Sequence, residues 1–148
     1  MIVPGGAGWW QGSGVGAGLN RARQAGVAET PGRAPRQRRF IEAIIAAETR
    51  LVGAPTMVEA SMVLLGHTGE ESLTDLRDFC ARGGVDTVPF GAEHVDLAID
   101  AFRRFGRGRH AAGLNFGDCF SYALAKATGE PLLFKGDDFS QTDIERAG

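Results

Sequence analysis

From Arg39 onward, apolar positions alternate between helical spacing and short unbroken runs, and that alternation defines a fold class before any motif is considered. Phe40, Ile41, Ile44, Ile45 and Ala47 recur at helical spacing, and the run Leu51 to Ala54 suits a buried strand. Thr56, with Glu59 three residues on, matches a capping box opening a helix from Met57 to Leu65, which Gly66 and Gly69 end. Leu73, Leu76, Phe79 and Cys80 mark a further helix that stops at Gly83 and Gly84, and Val85 to Phe90 reads as a second strand. Val95, Ala98, Ile99, Phe102 and Phe105 give the clearest amphipathic helix of the chain. Asn115 suits the N-cap of a helix through Ala127, Gly129 closes it, and Leu132 to Phe134 reads as a third strand. Helices alternating with short apolar strands predict an α/β fold, with a short parallel sheet covered on both faces.

Residues 4–38 break this rhythm. Glycine occurs nine times between Gly5 and Gly32, Trp9 and Trp10 stand side by side, and Pro4, Pro31 and Pro35 punctuate the stretch. Ordering such a segment costs more chain entropy than its few apolar side chains return, so residues 1–38 are expected to be a divergent, poorly ordered Gly/Arg-rich segment preceding a domain over residues 39–148. Its arginines Arg33, Arg36, Arg38 and Arg39 fit a solvated basic linker better than an RNA contact.

Bulk composition narrows the function classes. At 148 residues and 43% hydrophobic content the chain fits one domain with an ordinary core. A formal charge of -2 argues against coating nucleic acid by bulk charge, so a nucleic acid must meet a local basic patch. Cys80 and Cys119 form neither a CxxC pair nor a disulfide framework, which points to a reducing cytoplasm. Neither a membrane span nor a signal peptide is legible.

Ligands of open parallel sheets gather beyond the carboxyl ends of the strands, so acids there are weighed first. Glu59 lies one turn into the helix after the Leu51 strand, Asp118 in the first turn of the helix opened by Asn115, and Asp137 and Asp138 follow Phe134. Carboxylates converging from separate segments repel one another, and a hard cation such as Mg²⁺ or Mn²⁺ relieves that repulsion while activating water toward a phosphodiester. Each acid also has a structural reading. Glu59 would serve as the capping partner of Thr56, Asp118 would complement its helix dipole, and Asp137 and Asp138 would be turn residues. Between Phe102 and His110 lies the one concentrated basic site, whose Arg107 and Arg109 suit either phosphate contact or a solvated helix end. Cys119 has no base spaced to make it a nucleophile, and His67, His94 and His110 lack ligand spacing.

The run from Gly106 through Arg107, Gly108, Arg109, His110, Ala111, Ala112, Gly113, Leu114, Asn115, Phe116, Gly117, Asp118 and Cys119 to Ala125, then Gly129 to Ile144, resembles one subgroup of PIN-domain VapC toxins with high specificity. Ala54 to Ser61 resembles the segment in which that family places its second acid. The resemblance implies a three-layer α/β/α PIN-like fold and a Mg²⁺- or Mn²⁺-dependent endoribonuclease. It also implies a homodimer silenced by a VapB-like antitoxin covering the active site. Carried over by position, Glu59 and Asp118 match the family's second and third acids.

Two departures stand out. The family's first strand is followed at once by an aspartate and an apolar helix, whereas Met1, Ile2 and Val3 are followed here by Pro4, so the first strand-helix unit is expected to be disrupted. Gly136 stands where many relatives carry the fourth acid, with Asp137 and Asp138 beside it; Asp137 is preferred on proximity. Two readings follow: a VapC-like ribonuclease with Glu59, Asp118 and Asp137 as catalytic acids and impaired by the missing carboxylate, or a catalytically inactive PIN-like module that binds antitoxin or RNA.

Overall fold

The computed structural model describes residues 2–3 and 42–147. Strand β1 (Ile2–Val3) pairs in parallel with β2 (Leu51–Gly53), and β2 pairs in parallel with β3 (Asp86–Val88), in the order β1-β2-β3. Among the described residues, helical residues 42–46 precede β2, and four further α-helices accompany the sheet: α1 (Ala54–Thr68), α2 (Glu70–Gly83), α3 (Ala92–Phe105) and α4 (Phe116–Thr128). The expected α/β class with a short parallel sheet is therefore present. So is the first strand, whose described part ends at the residue before Pro4. The expectations for residues 4–38, and for Phe40 and Ile41, lie outside the described residues.

Helix α1 departs from expectation at its start. It begins at Ala54, after an extended Gly53 that makes no side-chain cap, with Pro55 in the first turn. Proline has no N–H to leave unpaired there and its fixed φ suits a helix start, so Pro55 takes over the opening that Thr56 was expected to provide. Thr56 lies instead inside the first turn, 2% exposed. Gly66 stays helical, and the chain stops at Gly69, whose φ of 79° a side chain would resist. Helix α2 ends as expected, on Gly84 in the left-handed conformation.

Leu132 to Phe134 is not a strand of the sheet. The Leu132 N–H donates to the Glu145 carbonyl and Ala147 N–H donates to the Leu132 carbonyl, so the segment spends its hydrogen bonds on the chain's own tail through one isolated bridge. Its side chains are as buried as those of an interior strand, which is the property the sequence displayed. Burial without a ladder explains the misreading.

The main core lies between α3 and α4 and beneath the tail, with Ala101, Phe105, Leu114, Tyr122, Leu124, Leu132, Phe134 and Phe139 buried together. A second cluster, Ala60, Leu64 and Leu76, joins α1 to α2. Arg50 fastens the periphery: its guanidinium donates to the carbonyls of Ile44, Ile45 and Gly83, capping the helical turn over residues 42–46 and the end of α2 at once. No helix among the described residues is long and apolar enough to cross a membrane.

Candidate active site

The beginning of α4 is fixed by a reciprocal cap. Asn115 Oδ1 accepts from the Asp118 N–H at 3.0 Å, and Asp118 Oδ2 accepts from the Asn115 N–H at 2.9 Å. Two of the helix's orphan donors are thereby satisfied and the Asp118 carboxylate is locked in place. The structural role weighed for Asp118 is thus real, and it occupies only one carboxylate oxygen.

The electrostatics of that carboxylate go beyond a cap. Asp118 is 7% exposed, and burial pushes its pKa up to about 6, against the lowering effect of the Asn115 N–H. The negative charges of Asp138 and Glu59 raise it further, and Arg107 lowers it slightly. Acids from two other segments therefore act on Asp118 at the start of α4. Glu59 lies close by: a Cβ built on Gly117 would stand 2.8 Å from Glu59 Oε2, so the glycine lets that carboxylate approach the start of α4 without shifting. Because α1 carries no Thr56–Glu59 capping box, Glu59 is not consumed by its own helix.

Of the two candidates near Phe134, Asp138 is the one whose charge Asp118 feels more strongly. Gly136, with φ of 91°, turns the backbone, and Asp138 then opens a 3₁₀ turn over Phe139–Gln141. Asp137 lies one residue earlier, exposed, its carbonyl accepting from the Ser140 hydroxyl at 2.6 Å. Among the described residues, no three acidic, histidine or cysteine side chains close into a complete metal-ligand group. What is present fits a hard cation in kind. The donors are carboxylate oxygens, their mutual repulsion is relieved by positive charge, and Mg²⁺ is commonly held by one or two carboxylates with water and phosphate oxygens completing the shell.

The basic loop resolves into unequal parts. Arg107 is the arginine whose charge reaches Asp118, and its N–H donates to the Leu114 carbonyl, holding the loop against the segment that enters α4. Arg109 is exposed, its guanidinium 5.3 Å from the centre of the Phe102 ring. Arg104 points elsewhere: it pairs with Asp100 and Asp143 and donates to Tyr122 Oη. His110 Nδ1 accepts from the Ala112 N–H, and His94 Nδ1 from the Gly91 N–H, so both rings serve local backbone. Both cysteines are free thiols, and burial raises Cys119 to about 11, helped by the Asp118 charge, which keeps it protonated.

Three features escaped sequence reasoning. Asp143 accepts from Tyr122, Arg104 and Lys126, a clasp whose members are far apart in the chain. Thr56 buries a hydroxyl in the first turn of α1. Phe116, next but one to Asp118, is 79% exposed. An aromatic in the first turn of a helix reads as core unless its neighbours in space are known.

The chain matches the PIN domain over residues 28–145 and belongs to that family. Within it the chain is of VapC type. It is 46% identical over 110 residues to ribonuclease VapC30 of Mycobacterium tuberculosis (strain ATCC 25618 / H37Rv), spanning 74% of this chain and 84% of that protein. With ribonuclease VapC36 of the same strain it shares 39% over 122 residues, or 82% and 88% of the two chains. With ribonuclease VapC of Mycolicibacterium smegmatis it shares 45% over 95 residues, 64% and 74%. The crystal structure of Mycobacterium tuberculosis VapC20, a Sarcin-Ricin loop cleaving toxin, superposes with a TM-score of 0.66 over 97% of this chain and 96% of that one. At 14% identity, that likeness speaks for the fold alone.

Proposed function

We propose that this chain is the endoribonuclease toxin of a VapBC-type pair, dependent on Mg²⁺ or Mn²⁺ and slower than its relatives for want of a carboxylate at Pro4. The observation that carries the reading is the buried Asp118 carboxyl, raised to about 6 and pressed by the charges of Asp138 and Glu59. Asp118 is buried, Glu59 half-buried and Asp138 exposed, and holding like charges around a buried carboxyl weakens a fold unless a ligand repays the repulsion. Glu59, Asp118 and Asp138 would hold the cation, with Asp137 beside them. A divalent ion bound there supplies a Lewis acid that polarises the phosphodiester and its attacking water. The chain's own groups do the rest. Asn115 fixes the Asp118 carboxylate, Gly117 leaves room for Glu59, and Arg107 and Arg109 neutralise phosphates and align the strand.

Silencing by a VapB-like antitoxin, a homodimeric assembly and a cytoplasmic location are further parts of this proposal, whose ribonuclease part the VapC relatives support. The deciding experiment is cleavage of a labelled single-stranded RNA with Mg²⁺ or Mn²⁺, with and without EDTA, beside an intact VapC relative. Expected is EDTA-sensitive cleavage, abolished by Asp118→Asn and on the order of a hundredfold slower than the relative's, since a small displacement of reacting groups is that costly. Cleavage indifferent to EDTA or to Asp118→Asn would refute the proposal. Turnover equal to the relative's would show that the site is complete without an acid at position 4.

A further inference from the structure

At 79% exposure, Phe116 is the most exposed large apolar side chain among the described residues. It is the first residue of the helix that carries Asp118, and the middle of α4 is buried, with Asp118, Cys119 and Ser121 to Ala125 all inside. The ring is not loose. It meets Phe120 edge to face, with centroids 4.5 Å apart and planes at 77°. Phe120 meets Phe90 in the same manner at 5.0 Å and 84°, and Phe90 leans on the buried His94 ring at 5.4 Å. An aromatic ladder anchored in the fold therefore ends in a ring held out into water beside the acid cluster.

The surroundings select an occupant. On the chain's N-terminal side of the ring lies the loop of Arg107, whose charge reaches Asp118, and Arg109. On its C-terminal side lie Gly117 and, packed against it, Glu59. Phe116 thus follows by two residues the Leu114 carbonyl that the Arg107 N–H bonds and precedes the glycine beside which Glu59 lies, and an exposed ring in that company suits a nucleotide, which joins a π-face to an anionic linkage. We propose that Phe116 is a stacking platform for an unpaired base adjoining the scissile phosphate. The inference rests on the ribonuclease reading above and deepens it, and the base is an unpaired one because a paired base has both faces already occupied by its neighbours.

The test uses the full-length chain in EDTA, so that binding is read without turnover, and a short single-stranded RNA carrying 2-aminopurine at successive positions. Stacking should quench the fluorophore at one or two adjacent positions. Phe116→Ala should abolish that quenching and weaken affinity roughly tenfold, as loss of one base-aromatic stack does, while Phe116→Trp restores both. A duplex of the same sequence should bind with no difference between parent and Phe116→Ala. Thermal melting of each variant checks the fold, which an exposed ring should leave unchanged. Equal affinity and quenching in parent and Phe116→Ala would overturn the inference while leaving the ribonuclease reading intact. Unchanged RNA binding with lost capture of the cognate antitoxin would assign the ring to that protein and overturn it equally. No salt-dependent RNA binding by the parent would bring down the ribonuclease reading and the inference with it.

Discussion

Asp118, in the first turn of α4, and Asp143, bonded to Tyr122 and Lys126 further along the same helix, are driven in opposite directions. Asp118 is buried beside Asp138 and Glu59, and its pKa is raised to about 6. At Asp143, burial would also raise the pKa, but hydrogen bonds from Tyr122 Oη at 2.7 Å, from Lys126 and from Arg104 outweigh it and hold the carboxyl down to about 2. The C-terminal clasp is a satisfied structural site in which every charge meets its opposite. The acid cluster is unsatisfied, and the fold tolerates it at a cost. Strain of this kind at one place and completeness at another separates a site kept for a ligand from one kept for stability.

The pH consequences differ in sign. Because folding raises the Asp118 pKa, its contribution to stability is present below about pH 4 and is lost as pH rises through about 6. Folding lowers the Asp143 pKa, so its contribution is present above about pH 4 and is lost as pH falls through about 2. The metal-free chain should therefore gain stability from both groups only near pH 4 to 5.

The largest expected effect comes from Asp118→Asn. Asparagine keeps the cap, since its carbonyl oxygen still accepts from the Asn115 N–H, but it removes the buried charge. RNA cleavage should fall by on the order of a hundredfold or more. In EDTA at pH 7.5 the same variant should be more stable than the parent by about 1–3 kcal/mol, and that gain should vanish at pH 4. Urea denaturation at the two pH values reads it directly. A variant destabilised at neutral pH would make Asp118 a structural residue like Asp143, and the contrast would collapse.

Tyr122→Phe tests the other side. The Tyr122 hydroxyl donates to Asp143 and accepts from Arg104, within a ring that is 1% exposed. Its loss should cost about 1 kcal/mol, a modest figure for a charge-assisted bond because Asp143 is 40% exposed and water screens it. Cleavage at saturating RNA should not change. A tenfold loss of turnover with little loss of stability would tie the clasp to the chemistry.

How much of this contrast the sequence displayed depends on distance along the chain. Helices α2, α3 and α4 were legible because spacing, glycine stops and the Asn115 cap act within a few residues. The acid end was legible only as separate acids. Glu59 and Asp118 are 59 residues apart in sequence, and the charge of one reaches the other only through the fold, a fact about space that spacing does not carry. The same holds for Asp143, whose partners Tyr122, Arg104 and Lys126 come from two helices. Leu132 to Phe134 misled because burial alone imitates a strand. Asp138, not the Asp137 preferred on proximity, is the one whose charge acts on Asp118, and the left-handed backbone at Gly136 just before them is announced by no apolar pattern.

Asp138→Asn and Asp137→Asn sharpen the picture beside Gly136. Removing the charge that acts on Asp118 should lower the Asp118 pKa and weaken Mn²⁺ affinity severalfold in calorimetric titration. Asp137→Asn should do less of both. The reverse ranking would place Asp137 in the cluster and Asp138 in the turn.

The smallest effect separates two arginines that the sequence treats alike. Arg107 lowers the pKa of Asp118, the least of the influences acting on it, whereas Arg109 stacks on Phe102. Both offer a positive charge to RNA, so Arg107→Gln and Arg109→Gln should each flatten the salt dependence of binding to a single strand by about 0.7 in log-log slope. Only Arg107→Gln should also move the acidic limb of the pH-rate profile, toward higher pH, because a carboxyl deprived of a nearby cation holds its proton longer. Binding and titration are independent readouts, so the pair distinguishes a residue that merely gathers RNA from one that also tunes the acid cluster. Should both variants shift the limb equally, the effect would be one of overall charge, and Arg107 would lose its particular place beside Asp118.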